Sequence, residues 1–268
     1  VPTNEQRRAA AKRKLERQLE RREAKARRRR LFTIVGLSIA VVALIAGGVT
    51  AYVITNKDSE TTASAAPGPA ADCQYPPSPQ PAAKKVNPPR AGKVPTDPAQ
   101  VSVSMATNQG NIGLMLDNAK APCTVNSFAS LASQGYFNDT PCHRLTATEG
   151  LNVLQCGDPT GTGSGGPGYQ FADEFPATEY APDDPKRGEP IPYPRGTLAM
   201  ANAGPDTNGS QFFLVYKDSM LPPNYTKFGT IDETGLATLD KIAAGGIEGG
   251  APDGKPATEV KITSVALD

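Results

Sequence analysis

The 268 residues carry 38% hydrophobic and 21% charged side chains, with 26 glycines, 26 prolines, four cysteines, a single histidine and no tryptophan. The net charge of +1 excludes a uniformly basic chain, and the spacing of the cysteines offers no zinc-site pattern. That small net charge conceals a division: residues 1–30 hold 13 Lys and Arg against four Asp and Glu, or +9, and the rest of the chain carries −8.

Residues 1–30 contain Ala, Leu, Glu, Arg and Lys without glycine, a composition able to form a helix. Nucleic-acid binding is set aside, because a basic run directly before an apolar one reads as a topogenic segment facing membrane lipids. From Leu31 to Thr55 there are 25 residues without a charge. At about 1.5 Å per residue, this predicted transmembrane helix crosses a hydrocarbon core of about 30 Å with some tilt. The run is longer than the apolar region of a cleavable signal peptide. Ala63-Ser64-Ala65 fits an A-x-A cleavage pattern, yet it lies well past the apolar run, so an uncleaved anchor is favoured. The Arg27–Arg30 cluster then places the amino end in the cytoplasm and everything after Thr55 outside, a single-pass cell-membrane protein.

Residues 56–97 hold nine prolines in 42 residues and read as an extended extracytoplasmic linker. The remaining 171 residues, 98–268, suit one domain. Val101–Ala106 and Gly110–Leu116 alternate apolar and polar residues around Asn108-Gln109-Gly110, the pattern of a hairpin. Pro122–Gln134 has helical spacing, with Thr124 as N-cap and Gly135 as stop. Leu198–Ala201 and Ser210–Val215 read as strands. Thr234–Ala244 is a second helix ending on Gly245-Gly246, and Val260–Val265 a closing strand. Many short strands with two isolated helices point to a closed antiparallel barrel. Asp173–Tyr193 is acidic and proline-rich and reads as a surface loop.

The run from Leu198 to Phe213, L-A-M-A-N-A-G-P-D-T-N-G-S-Q-F-F, is chemically unusual. Small residues admit another backbone closely, and the amides of Asn202, Asn208 and Gln211 offer donors and acceptors to it. This run closely resembles the cyclophilin family of peptidyl-prolyl isomerases. Three further blocks agree in order: Cys142-His143-Arg144, then Val153-Leu154-Gln155-Cys156-Gly157-Asp158 with the glycine-rich loop to Tyr169 and Asp173-Glu174-Phe175, then Phe228-Gly229. The resemblance covers about Pro98 to Asp268. It implies an eight-stranded antiparallel barrel capped by two helices, and catalysis of rotation about X–Pro peptide bonds.

That reaction makes and breaks no bond, so it needs no nucleophile, metal or cofactor. Its barrier of about 18–20 kcal/mol comes from amide resonance. A catalyst must hold both flanking segments and stabilise the twisted amide, whose prolyl nitrogen becomes a basic acceptor. The resemblance makes Arg144 the donor to that nitrogen, and a guanidinium supplies fixed donors that never lose their charge. Gln155 is implied to orient Arg144 and to touch the substrate carbonyl. Asn202, with Ala201 and Ala203, is implied to bind the peptide preceding the proline, with Gln211 supporting the groove. Phe213, Val153, Leu221 and Met220 align with the walls of the proline pocket, and Tyr225 stands nearby. His143 is ranked as a groove or structural residue, because isomerisation needs no proton transfer. Gly161–Gly166 fits G-x-G-x-x-G, but Pro167-Gly168 follows where a helix should begin, so the loop is read as bordering the groove.

The chain departs from the family pattern in places. Arg144 and Gln155 are three residues further apart than in the short form, through Thr146–Gly150. Asn152 stands where an aromatic is frequent, and Val153 where Met is. Met220 occupies the position of a Trp that contacts cyclosporin in many members, and Tyr225 that of a His. The cysteines allow either a disulfide, with Cys142 and Cys156 on strands expected to be adjacent, or buried free thiols. The expected partners are proline-containing segments of exported polypeptides and membrane lipids, and the catalytic domain is expected to be monomeric. A non-catalytic module or chaperone holding such segments in the same groove is the rival reading.

Overall fold

The computed structural model describes residues 69–268. Segments 1–30, 31–55 and the start of the predicted linker, 56–68, lie outside the described residues. Among the described residues no helix is long and apolar enough to cross a membrane.

The 98–268 region opens on β3 (Gln100–Thr107) and β4 (Gly110–Asp117), paired from Gln100↔Asp117 to Thr107↔Gly110. The Thr107 hydroxyl accepts from the N–H of Gln109 and of Gly110, both at 3.1 Å, which closes the turn. Val103, Met105, Ile112, Leu114 and Leu116 point into the core at every second position. Helix α1 (Pro122–Ser133) follows, burying Val125, Phe128, Leu131 and Ala132. Its N-cap is Ala121, not the predicted Thr124. Thr124 lies inside the first turn, because the cap comes from another segment. The half-buried Glu174 carboxylate accepts from the N–H of Cys123 at 3.0 Å, and from the N–H and hydroxyl of Thr124 at 2.8 and 2.7 Å. Negative charge is favoured there because the first-turn N–H groups have no partner within the helix.

Four short strands come next: β5 (Thr140–Pro141), β6 (Arg144–Thr146), β7 (Val153–Cys156) and β8 (Ile191–Tyr193). After them run β9 (Thr197–Met200), β10 (Phe212–Val215), β11 (Ser219–Leu221) and β12 (Lys227–Ile231). Helix α2 (Glu233–Ala244) starts where Asp232 accepts from the Gly235 N–H at 2.6 Å. β13 (Asp253–Gly254) and β14 (Lys261–Leu267) end the chain.

Ten of these strands form one antiparallel sheet in the order β13-β6-β7-β10-β9-β12-β4-β3-β14-β5. It is curled into a half-barrel with two helices, and it is not the closed eight-stranded barrel expected from the sequence. Its two edges, β13 and β5, are two residues long, and Pro141 has no N–H to donate, so neither edge can sustain a closing ladder. Register shifts in β12 between Lys227 and Gly229 and in β14 between Ile262 and Ser264 accompany the curl. The concave side is filled by Phe128, Phe137, Phe212 and Phe228, whose ring centroids lie 5.0–5.6 Å apart where they meet. β8 and β11 form a separate pair. The acidic loop therefore ends as a strand that carries the buried Tyr193 inward.

Residues 69–97 are not the extended linker predicted. β1 (Ala70–Cys73) and β2 (Gly92–Pro95) pair with each other, and a disulfide joins Cys73 to Cys123 in α1. Tyr75 is buried edge-to-face against Tyr169 and Phe171, and its hydroxyl donates to the Cys123 carbonyl at 2.7 Å. Further along, the Ser78 N–H donates to the Gly168 carbonyl at 3.0 Å and the Ala83 N–H to that of Gly166 at 2.8 Å. Proline content alone concealed these anchors. One disulfide, the buried Tyr75 and Val94, and these hydrogen bonds together hold a segment that has little other apolar surface.

Candidate active site

Strand periodicity assembles the site. On β7, Leu154 and Cys156 face the main core, so Val153 and Gln155 face the other way. On β10, Phe212 and Leu214 face the core while Phe213 and Val215 turn away, and on β9 Ala199 does the same. Register then lines up Arg144↔Gln155, Gln155↔Phe213 and Phe213↔Ala199 as one row across β6, β7, β10 and β9. A guanidinium, an amide and an apolar ring thus stand side by side, although they come from three separate sequence blocks.

The apolar part is a small second cluster of Val153, Tyr193, Ala199, Phe213 and Val215, with Ala201, Leu221 and Tyr225 packed against it. The Tyr225 ring stands edge-on to Phe213 at 5.8 Å, and Tyr193 lies at 6.3 Å from it. Tyr193 was not singled out from the sequence; its hydroxyl donates to the Tyr225 carbonyl at 2.8 Å and fixes the wall. Met220 lies outside this cluster and is 48% exposed. Its N–H donates to the Gly150 carbonyl at 2.8 Å, which docks the Thr148–Leu151 hairpin turn, the extra length between Arg144 and Gln155, onto β11. With a mobile thioether in place of an indole, weak cyclosporin inhibition is expected. Submicromolar inhibition of isomerase activity would contradict it.

The polar part is a directed chain. Arg144 donates from Nη1 to Gln155 Oε1 at 3.2 Å, and Gln155 Nε2 donates to Gln211 Oε1 at 2.9 Å. Gln211 Nε2 then donates to the carbonyls of Gly163 and Gly165, both at 3.0 Å. At its other end Arg144 donates from Nε and Nη2 to the two oxygens of Asp253, at 2.8 and 2.7 Å. Asp253 was not found in the sequence, because it lies 109 residues from Arg144 in no recognised block. The carboxylate holds the guanidinium pKa above its ordinary value, while Arg144 holds that of Asp253 below the usual carboxylate range.

The loop carrying Gly163 and Gly165 is tied down by Asp158. Its buried carboxylate accepts from the N–H of Thr160 and of Gly163 at 2.8 Å and of Gly165 at 3.0 Å. Burial alone would raise its pKa; the hydrogen bonds from Gly165, Thr160 and Gly163 outweigh that and lower it. Gly165 must lack a side chain, since a Cβ there would run into the Asp158 carboxylate. Gly157, at φ +92°, likewise admits no Cβ, because the Ser210 carbonyl fills the space.

Between this loop and the Ala201–Ala203 segment lies a cavity of about 500 Å3, bordered by Gln155 and Gln211 and completed by Ser78–Gln80. The Asn202 side chain does not reach into it as a free amide: Nδ2 donates to the Asn224 carbonyl at 2.7 Å. The Asn202 backbone N–H and C=O make no hydrogen bond among the described residues, which leaves both groups available at the cavity wall. The Ala203 N–H is committed to the Thr207 hydroxyl at 2.9 Å. His143 stands against Gly163, its two ring nitrogens buried without partners, and burial lowers its pKa. It does not join the Arg144 chain. Cys142 and Cys156, which bracket Arg144 and Gln155, are joined by a disulfide, so the free-thiol alternative does not hold.

With this geometry in place, the comparisons are specific. The model of the family described as "Cyclophilin type peptidyl-prolyl cis-trans isomerase/CLD" matches residues 102–267. A protein of Mycobacterium leprae described as "Probable peptidyl-prolyl cis-trans isomerase B" is 59% identical over 295 aligned positions covering all of both chains. One of the same description from Mycobacterium tuberculosis is 62% identical over 292 positions, all of this chain and 95% of that one. Among solved structures, a cyclophilin type isomerase of Cryptosporidium parvum matches at 32% identity and a TM-score of 0.50, over 63% of this chain and 98% of its own. The chain belongs to the cyclophilin type peptidyl-prolyl cis-trans isomerase family. It is an enzyme that interconverts the cis and trans forms of X–Pro peptide bonds, not a passive proline-binding module.

Proposed function

We propose that this isomerase acts on exported polypeptides beside the outer face of a cell membrane, with Arg144 as the donor to the twisting prolyl amide. The observation that carries the catalytic part is the single row Arg144, Gln155, Phe213 and Ala199 across four strands. A prolyl ring seated on Phe213 and Val153 puts its nitrogen beside the guanidinium, and the Asn202 backbone holds the preceding residues extended. In the planar ground state the nitrogen lone pair is delocalised and accepts poorly. In the twisted state it is localised, so a hydrogen bond from Arg144 strengthens there and lowers the barrier. Gln155 holds the guanidinium on one side and is itself held by Gln211.

The cellular setting rests on the sequence and on sulfur chemistry. A basic segment precedes 25 uncharged residues, and all four cysteines are paired in disulfides, which persist in oxidising compartments. A reporter enzyme active only outside the cytoplasm, fused after Asp268, tests the topology. It is expected to be active and to fractionate with membranes. An inactive fusion, or activity released into the medium, would contradict an uncleaved anchor with an external domain.

A further inference from the structure

Arg144 carries five N–H donors, and among the described residues three are occupied. Nε and Nη2 serve Asp253 side-on, and Nη1 serves Gln155. One N–H on Nη1 and one on Nη2 remain to meet a substrate. A single hydrogen bond of 3.2 Å to Gln155 would leave the long side chain free to rotate about it. The bidentate carboxylate removes that freedom, because its two parallel bonds fix the plane of the guanidinium as well as its position.

Asp253 is placed for this by a tight hairpin. The Glu248 N–H donates to the Lys255 carbonyl at 2.8 Å, Ile247 bridges Pro256, and β13 pairs with β6 through Asp253↔Thr146 and Gly254↔Leu145. The Ala147 N–H donates to the Pro252 carbonyl at 2.8 Å, extending that pairing. The ion pair is not buried: the two side chains are 39% and 42% exposed. Pairs so exposed contribute little to stability, so holding the fold together is a poor account of it.

We propose that Asp253 is a positioning residue for isomerisation, its carboxylate clamping Arg144 side-on so that the end of the guanidinium meets the twisting prolyl amide. This rests on Arg144 being the donor. The test measures kcat and KM separately, from exchange NMR of a prolyl peptide at several peptide concentrations, for Asp253→Ala and Asp253→Glu. Each substitution is also made in an Arg144→Lys background, where the side-on clamp cannot form.

Asp253→Ala is expected to lower kcat about tenfold with KM changed less than twofold, since orientation rather than binding is lost. Asp253→Glu is expected to recover part of the rate. In the Arg144→Lys background, Asp253→Ala is expected to change kcat less than twofold. A kcat for Asp253→Ala within twofold of the parent overturns the proposal, as does an equal tenfold loss in both backgrounds, which would mark a structural effect. Arg144→Ala separates the two layers. If it is slow while Asp253→Ala is fast, only the positioning role fails; if Arg144→Ala is itself fast, the donor reading fails.

Discussion

Arg144→Ala is expected to lower kcat/KM toward a prolyl tetrapeptide by roughly 10²–10³-fold, the range for removing one preorganised donor from a developing charge. The loss should fall on kcat. Phe213, Val153 and the Asn202 backbone, proposed to seat the peptide, are untouched, and Arg144 is 39% exposed, so its removal opens no core cavity. Arg144→Lys should recover little, because an ammonium keeps the charge but cannot satisfy Asp253 and Gln155 while presenting two donors forward. A protease-coupled isomerisation assay checks both variants. Rates equal to the parent enzyme would remove Arg144 from the chemistry.

The second large effect is on stability. The disulfide between Cys73 and Cys123 spans 50 residues, and the one between Cys142 and Cys156 spans 14. Loop-closure entropy of the unfolded chain scales with that span, giving about 4 kcal/mol for the first and about 3 kcal/mol for the second. Cys73→Ser paired with Cys123→Ser is therefore expected to lower the melting temperature by roughly 8–15 °C in a domain of this size. The loss should exceed that of the pair Cys142→Ser and Cys156→Ser. Differential scanning calorimetry of both variants measures it. A Cys73 and Cys123 variant melting within about 2 °C of the parent would mean that this disulfide adds nothing to the stability of the folded unit.

What the sequence made legible was whatever depends on local pattern or on a contiguous block. The β3–β4 hairpin showed in its alternation, and α1 and α2 in their helical spacing. Arg144, Gln155 and Phe213 each sit inside a recognisable block, and the structure brings the three into one row. Contributions from distant segments were not legible. Asp253 meets Arg144 only because β13 pairs with β6, and Tyr193 reaches Phe213 only because a proline-rich loop ends as β8. Glu174 caps a helix 50 residues away, which is why the local rule chose Thr124 instead. The amino-terminal segment shows the same limit. Its nine prolines argued for an extended linker, while Cys73 and Tyr75 anchor it to a surface that folds later in the chain. Barrel closure failed for a related reason, since edge strands of two residues cannot be distinguished from loop by pattern.

The central claim, that Arg144 acts on the twisted amide and not on peptide binding, is tested most directly by two-dimensional exchange NMR of a prolyl peptide with the parent enzyme and with Arg144→Ala. Both are expected to bind the peptide with dissociation constants within about threefold of each other, while cis–trans exchange on the enzyme slows at least 100-fold in the variant. Exchange at the parent rate in Arg144→Ala, or a loss of rate wholly explained by weaker binding, would contradict it.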